Sequence, residues 1–148
     1  MIYCISLLVF ILDIVSKWFV VTHLTVHHAV EILPIFNFYL TYNSGVSFSM
    51  FSAGSELGIA LLIGVALAIC LAIVYMICQE KDRLVRSALA MILGGALANV
   101  FDRLRYGAVI DFLDFHWKQY HFPAFNVADS AICIGAGLIL LQILRRKK

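Results

Sequence analysis

The sequence predicts an all-α membrane protein. It should have four transmembrane helices, a small extracytoplasmic β-hairpin between the first two, and a surface segment between the third and fourth. Three observations predict this. Of 148 residues, 63% are hydrophobic and 14% charged, against about a quarter charged in a soluble domain. Four apolar stretches approach the ~20 helical residues needed to cross a ~30 Å hydrocarbon core. Lys and Arg gather between the second and third stretches and at the C-terminus, as they do in cytoplasmic segments. The mean hydropathy of +0.96 leaves too much apolar surface for a water-facing shell to hide, and there is room for one domain only.

The four spans are expected at about 2–21, 57–78, 87–103 and 127–144. The first is apolar from Ile2 onward and lacks a basic lead or a small-residue cleavage site, so it reads as a retained helix. The second carries no charge. The third is short as a purely apolar run and must extend towards Arg103 to span. Lys81, Arg83 and Arg86 lie between helices two and three, and the chain ends Arg145-Arg146-Lys147-Lys148. Both groups belong on the cytoplasmic side, which puts both termini inside. The connection over 22–56 has no Lys or Arg and is external. The connection after helix three holds Arg103, Arg105 and Lys118, against the trend.

In the first external connection Phe36, Phe38, Leu40 and Tyr42 alternate with other residues. After Asn43-Ser44-Gly45, Val46, Phe48 and Met50 alternate again, a hairpin pattern with its turn at 43–45. The second external connection is rich in rings, among them Tyr106, Phe112, Trp117 and Phe122. Rings favour the headgroup level, so this segment should lie on the outer surface and could hold a short helix.

Polar groups inside spans are costly and mark function. Asp13, Ser16 and Lys17 share one face of helix one, at i, i+3 and i+4. Asn99, Asp102 and Arg103 repeat the spacing at the end of helix three, and Asn126, Asp129 and Ser130 at the start of helix four. The topology puts all three groups towards the outer leaflet. Asp111 lies just beyond helix three. Two aspartates brought together beside an apolar bundle cannot both ionise readily, so they share a proton. The ionised one can activate water while the protonated one polarises a carbonyl. Such chemistry needs no metal, cofactor or covalent intermediate.

Four segments carry a resemblance. They are Asp13-Ile14-Val15-Ser16-Lys17; Asn43-Ser44-Gly45 with Phe48; Gly94-Gly95 through Asn99 to Asp102-Arg103, followed by Val109-Ile110-Asp111-Phe112; and Phe125-Asn126-Val127-Ala128-Asp129-Ser130. In this order and at this size, the chain resembles the lipoprotein signal peptidases, or signal peptidase II, over effectively its whole length. The resemblance implies an aspartic endopeptidase of the bacterial cytoplasmic membrane. It would cut a diacylglyceryl-modified prolipoprotein just before the lipidated cysteine. It implies Asp111 and Asp129 as the catalytic pair, with supporting roles for Asp13, Lys17, Asn43, Gly45, Asn99, Asp102, Arg103 and Asn126. It further implies inhibition by globomycin-like cyclic peptides. The chain departs from the family pattern at Ala98, where Gly is usual, and at Val46-Ser47, where Ala-Ala is usual.

Each polar residue also has a plainer reading. Asp129 suits the positive end of a helix dipole. Asp102 could pair with the adjacent Arg103, and Asp114, like Asp102 a rival to Asp111, could be an exposed surface charge. Asp13 and Lys17 read as an internal ion pair, and Asn43 as a turn residue. Gly94-Gly95 reads as a close helix contact. Cys4, Cys70, Cys78 and Cys133 read as buried thiols. The five histidines lack zinc-peptidase spacing, there is no Gly-x-Ser-x-Gly elbow, and a net charge of +2 gives no basis for nucleic-acid binding. Two rivals come from other classes. One is a proton-coupled carrier using Asp13 and Asp129 as relays, and the other a non-enzymatic scaffold indifferent to Asp111→Asn or Asp129→Asn.

Overall fold

The computed structural model describes residues 2–45 and 56–146. Among these, four helices are long and apolar enough to cross a membrane: α1 (Ile2–His23), α2 (Glu56–Gln79), α3 (Arg83–Tyr106) and α4 (Val127–Arg146). They match the expected spans to within a few residues. The largest difference is in α3, which begins at Arg83 because Asp82 caps it: the Asp82 carboxylate accepts from the N–H groups of Leu84 (2.8 Å) and Val85 (3.3 Å). This satisfies backbone donors that a helix start leaves open. The same carboxylate accepts from Gln142 Nε2 (2.6 Å) and Arg146 Nη2 (2.9 Å) of α4. Bonds from Gln142 and Arg146 hold it down at about 2, so this inter-helix clamp stays charged at any ordinary pH. At the other end of α3, Gly107 adopts φ +71° and donates its N–H to Arg103 O at 3.0 Å, closing the helix in a left-handed cap.

Helix α3 is the central one, in contact with α1, α2 and α4. Half of its apolar window is buried, against about a fifth for the others. The small residues of the seams make this possible. A Cβ on Gly95 would lie 2.5 Å from Ala128 O, and one on Gly135 would lie 2.7 Å from Ala88 O. The close contact expected at Gly94-Gly95 is present, and it is backbone against backbone. Outward faces are apolar: Leu57, Leu71 and Tyr75 of α2 are mostly exposed, as suits side chains that meet lipid rather than water. Cysteines follow the same logic. Only Cys70 is buried in the protein; Cys4, Cys78 and Cys133 face outward as free thiols, contrary to the expectation of four buried ones.

The all-α description needs correction, because among the described residues four strands form an antiparallel sheet at one end of the bundle. They are β1 (Ala29–Leu33), β2 (Phe36–Asn43), β3 (Val109–Trp117) and β4 (Tyr120–His121), in the order β1-β2-β3-β4. The alternation over 36–42 does mark a strand, but its neighbours are β1 and β3. The expected second arm, Val46 to Met50, lies outside the described residues. The ring-rich connection after α3, expected on the surface, is exposed at Phe115, Trp117, Tyr120 and Phe122; it holds no helix among the described residues and opens instead with β3. Its first four residues, Val109 to Phe112, are all buried. Covered on both faces, that stretch shows no alternation to read. Val20 of α1 packs with Leu40, Ile110 and Phe112, fixing the sheet to the bundle. An irregular register between Phe38 and Thr41 of β2 gives that strand an extra residue opposite β3, so that Thr41 lies across from Asp111.

Candidate active site

Asp111 is carried by the buried part of β3, and Asp129 by the first turn of α4. One asparagine joins them. Asn126, fully buried just before α4, donates from Nδ2 to Asp111 Oδ1 at 2.8 Å, while its Oδ1 accepts from the Asp129 N–H at 2.8 Å. It thus caps the helix that carries one acid and holds the other by hydrogen bond. Asn99 of α3 donates to Asp129 Oδ1 at 2.8 Å. Asn43, at the end of β2, donates to Asp111 Oδ2 at 2.9 Å. Each acid is therefore oriented by amides from a different element.

A second layer fixes Asn99. Lys17 of α1 lies 2.6 Å from Asp13 Oδ2 and 2.7 Å from Asp102 Oδ2, and donates to Asn99 Oδ1 at 3.2 Å. Its three N–H donors all have partners in a place where water cannot supply them. The expected Asp13–Lys17 pair is present. Asp102, however, pairs with Lys17 across the bundle rather than with its neighbour Arg103, because consecutive helical residues point about 100° apart. Asp102 Oδ2 also accepts from the Ile110 N–H at 3.1 Å, fixing the start of β3. Asp13 accepts from the Ala128 N–H at 2.8 Å, so α1 caps the helix start beside Asp129. Nothing in the spacing of Asp13 could announce that contact, which spans 115 residues of chain.

Arg103 donates to Asn99 O at 3.2 Å and interacts electrostatically with Asp129, Asp102 and Asp111. Gly45 stands beside it. At φ +77° its backbone is in the left-handed region, and its N–H donates to Asn43 Oδ1 at 2.9 Å. A Cβ there would lie 3.5 Å from Arg103 Nη2. The turn reading of Asn43 and its contact with Asp111 thus hold together: Oδ1 closes the turn while Nδ2 holds the acid. Asp114 is not an exposed charge. It is buried, accepting from Asn37 at 3.0 Å and lying 2.9 Å from His121 Nδ1 within the sheet.

The cluster gathers four carboxylates, Asp13, Asp102, Asp111 and Asp129, around two cations, Lys17 and Arg103. A proton retained by the acids lessens that imbalance. Burial pushes the Asp111 carboxyl up to about 6; the Asn43 bond opposes this, the nearby Asp129 charge adds to it, and the Asn126 bond opposes it.

The model of the signal peptidase II family matches residues 5–145. The chain belongs to the signal peptidase II family. This signal peptidase II is 43% identical to the lipoprotein signal peptidase of Polynucleobacter necessarius, over 96% of this chain and 88% of that one. It is 45% identical to that of Shewanella piezotolerans, over 95% and 84%, and 41% identical to that of Haemophilus influenzae, over 97% and 85%. Two solved structures described as a bacterial membrane enzyme share the fold. One has a TM-score of 0.85 at 28% identity, covering 98% of this chain and 88% of that one; the other has 0.86 at 29%, covering 95% and 90%. The chain is accordingly a protease of a multi-pass membrane family.

Proposed function

We propose that this signal peptidase II is an aspartic endopeptidase of lipoprotein maturation, with Asp111 and Asp129 as its catalytic pair. Its substrate is a diacylglyceryl-modified prolipoprotein, cut immediately before the lipidated cysteine. The single observation behind this is the Asn126 bridge, which joins the Asp111 carboxylate to the backbone N–H of Asp129 through two bonds of 2.8 Å. Asp111, lifted to about 6, is the partner suited to hold the shared proton, and Asp129 the partner suited to act as base.

The reaction balances without metal or cofactor. Asp129 takes a proton from water as the water oxygen bonds to the scissile carbonyl carbon. Asp111 gives its proton to the carbonyl oxygen, leaving a neutral gem-diol. Asp129 then returns its proton to the leaving nitrogen as the C–N bond breaks. One hydroxyl of the diol loses its proton to Asp111, restoring both acids. The amides of Asn43, Asn99 and Asn126 keep both carboxyls oriented throughout, so little reorganisation accompanies the charge movement.

The Lys and Arg clusters at the end opposite the sheet favour a cytoplasmic location for both termini and an extracytoplasmic one for the acids. The membrane is the bacterial cytoplasmic membrane. There the substrate's acyl chains stay in lipid and hold its cysteine at the height of the dyad. Globomycin-like cyclic peptides would compete for the same place. The test is cleavage of a diacylglyceryl prolipoprotein by purified wild type, Asp111→Asn and Asp129→Asn. Loss of cleavage in both folded variants is expected; normal processing by either would remove the mechanism.

A further inference from the structure

Arg105 stands at the end of the bundle where positive charge is unusual, and the acid cluster does not account for it. Its guanidinium lies 5.2 Å over the Tyr106 ring, and no carboxylate among the described residues forms an ion pair with it. Beneath it a cavity of about 240 Å³ opens between α1 and α3, under Ile110 of β3. Lys17 and Asp102 form part of its wall, paired with each other at 2.7 Å.

A separate hollow of about 350 Å³ lies lower on the same seam, with Tyr3 and Ser6 in its wall. Leu7 and Phe10 of α1 line this hollow, and Ile14 and Trp18 of α1 line the upper one. These four positions follow one helix face. On α3 the facing row is Leu93 and Leu97 below, Phe101 and Arg105 above, each one i+4 step from the last. From Leu93 to Arg105 the row rises about 18 Å at 1.5 Å per residue, against about 15 Å for one leaflet's share of the hydrocarbon core. The row is thus as long as one acyl layer is deep. Leu93, Leu97 and Phe101 make it apolar up to Arg105, the Lys17–Asp102 pair interrupts the upper wall, and the row ends in a cation flanked by Trp18 and Tyr106, residue types that favour the headgroup level.

We propose that the α1–α3 seam holds one phospholipid of the outer leaflet, its phosphate on Arg105 and an acyl chain along the Leu97–Phe101 row. A guanidinium matches a phosphodiester in charge and can bond two of its oxygens at once. The proposal rests on the membrane orientation given above but not on the peptidase chemistry, since Arg105 touches neither acid.

Native mass spectrometry of the detergent-purified protein, titrated with dioleoyl phosphatidylglycerol, tests it. Wild type should retain one lipid per chain. Arg105→Gln should lower its occupancy roughly tenfold, the loss of one charge-assisted contact. Dioleoylglycerol, which lacks the phosphate, should bind wild type no better than it binds the variant. Asp111→Asn should retain lipid like wild type while losing cleavage, which separates the two proposals. Equal retention by Arg105→Gln, equal binding of the phosphate-free lipid, or an unselective shell of several lipids would each overturn the assignment.

Discussion

Gly95→Ala should displace Asp129 without touching it. A Cβ at this position would lie 2.5 Å from Ala128 O and 2.9 Å from Ile132 Cγ1. Ordinary contact begins at 3.4 Å, so α3 and α4 must separate by about 0.9 Å at this level. The Asn99 to Asp129 hydrogen bond, 2.8 Å long, is made one turn further along α3 and one residue further along α4. The same displacement would stretch it past 3.5 Å, where it ceases to hold. A misplacement of about 1 Å can cost a reaction about 100-fold, and forced expansion of a packed seam costs about 1–3 kcal/mol. The expected result is a kcat for prolipoprotein cleavage lowered by roughly two orders of magnitude, in a protein that still inserts and melts a few degrees earlier. Gly64→Ala and Gly137→Ala are the controls, since nothing lies within 4 Å of a Cβ at either. Both should be neutral, or more stable by about 0.5–1 kcal/mol through better helix propensity. Wild-type kcat and melting temperature in Gly95→Ala would show that this seam does not set the position of Asp129.

Other outcomes follow from the site. The Asp111 proton is held below about 6 and lost above it, so kcat/KM of the free enzyme should fall as pH rises through that value. Asn43→Ala removes a bond that favours the charged form, and should move that limb to higher pH; a shift to lower pH would contradict the role given to Asn43. Lys17→Met leaves Asp13 and Asp102 buried without their cation and should destabilise by about 3–5 kcal/mol. Asp13→Asn and Asp102→Asn in the same chain should recover much of that in thermal unfolding. Asp114→Asn should weaken the Asn37–His121 cluster by about 1–3 kcal/mol yet cleave within a few-fold of wild type. A loss like that of Asp111→Asn would make Asp114 the reacting acid.

Legibility followed the range of each interaction. Asp13 with Lys17, and Asn126 with Asp129, are three or four residues apart, so helical periodicity placed them together. The spans were legible because lipid demands length and apolarity in one continuous stretch. β2 was legible from its alternation, but not its partners, because strand pairing is made by residues far apart in sequence. β3 leaves no strand pattern in the sequence, since burial of Val109 to Phe112 on both faces erases the alternation. For Asp102 the sequence offers only its neighbour Arg103 as a pairing partner, because adjacency is all that local order shows. Its actual partner, Lys17, comes from another helix.

Sequence alone determined the membrane character of this protein, the number of helices long and apolar enough to cross a bilayer, and the residues in its resemblance to signal peptidase II. These depend on composition and on local order along the chain. Tertiary structure decided which amide holds which acid, that α1 caps α4, and that the segments between α1 and α2 and between α3 and α4 form one sheet. Those facts depend on backbones approaching closely at glycines and on buried charges finding distant partners, and no local pattern encodes either.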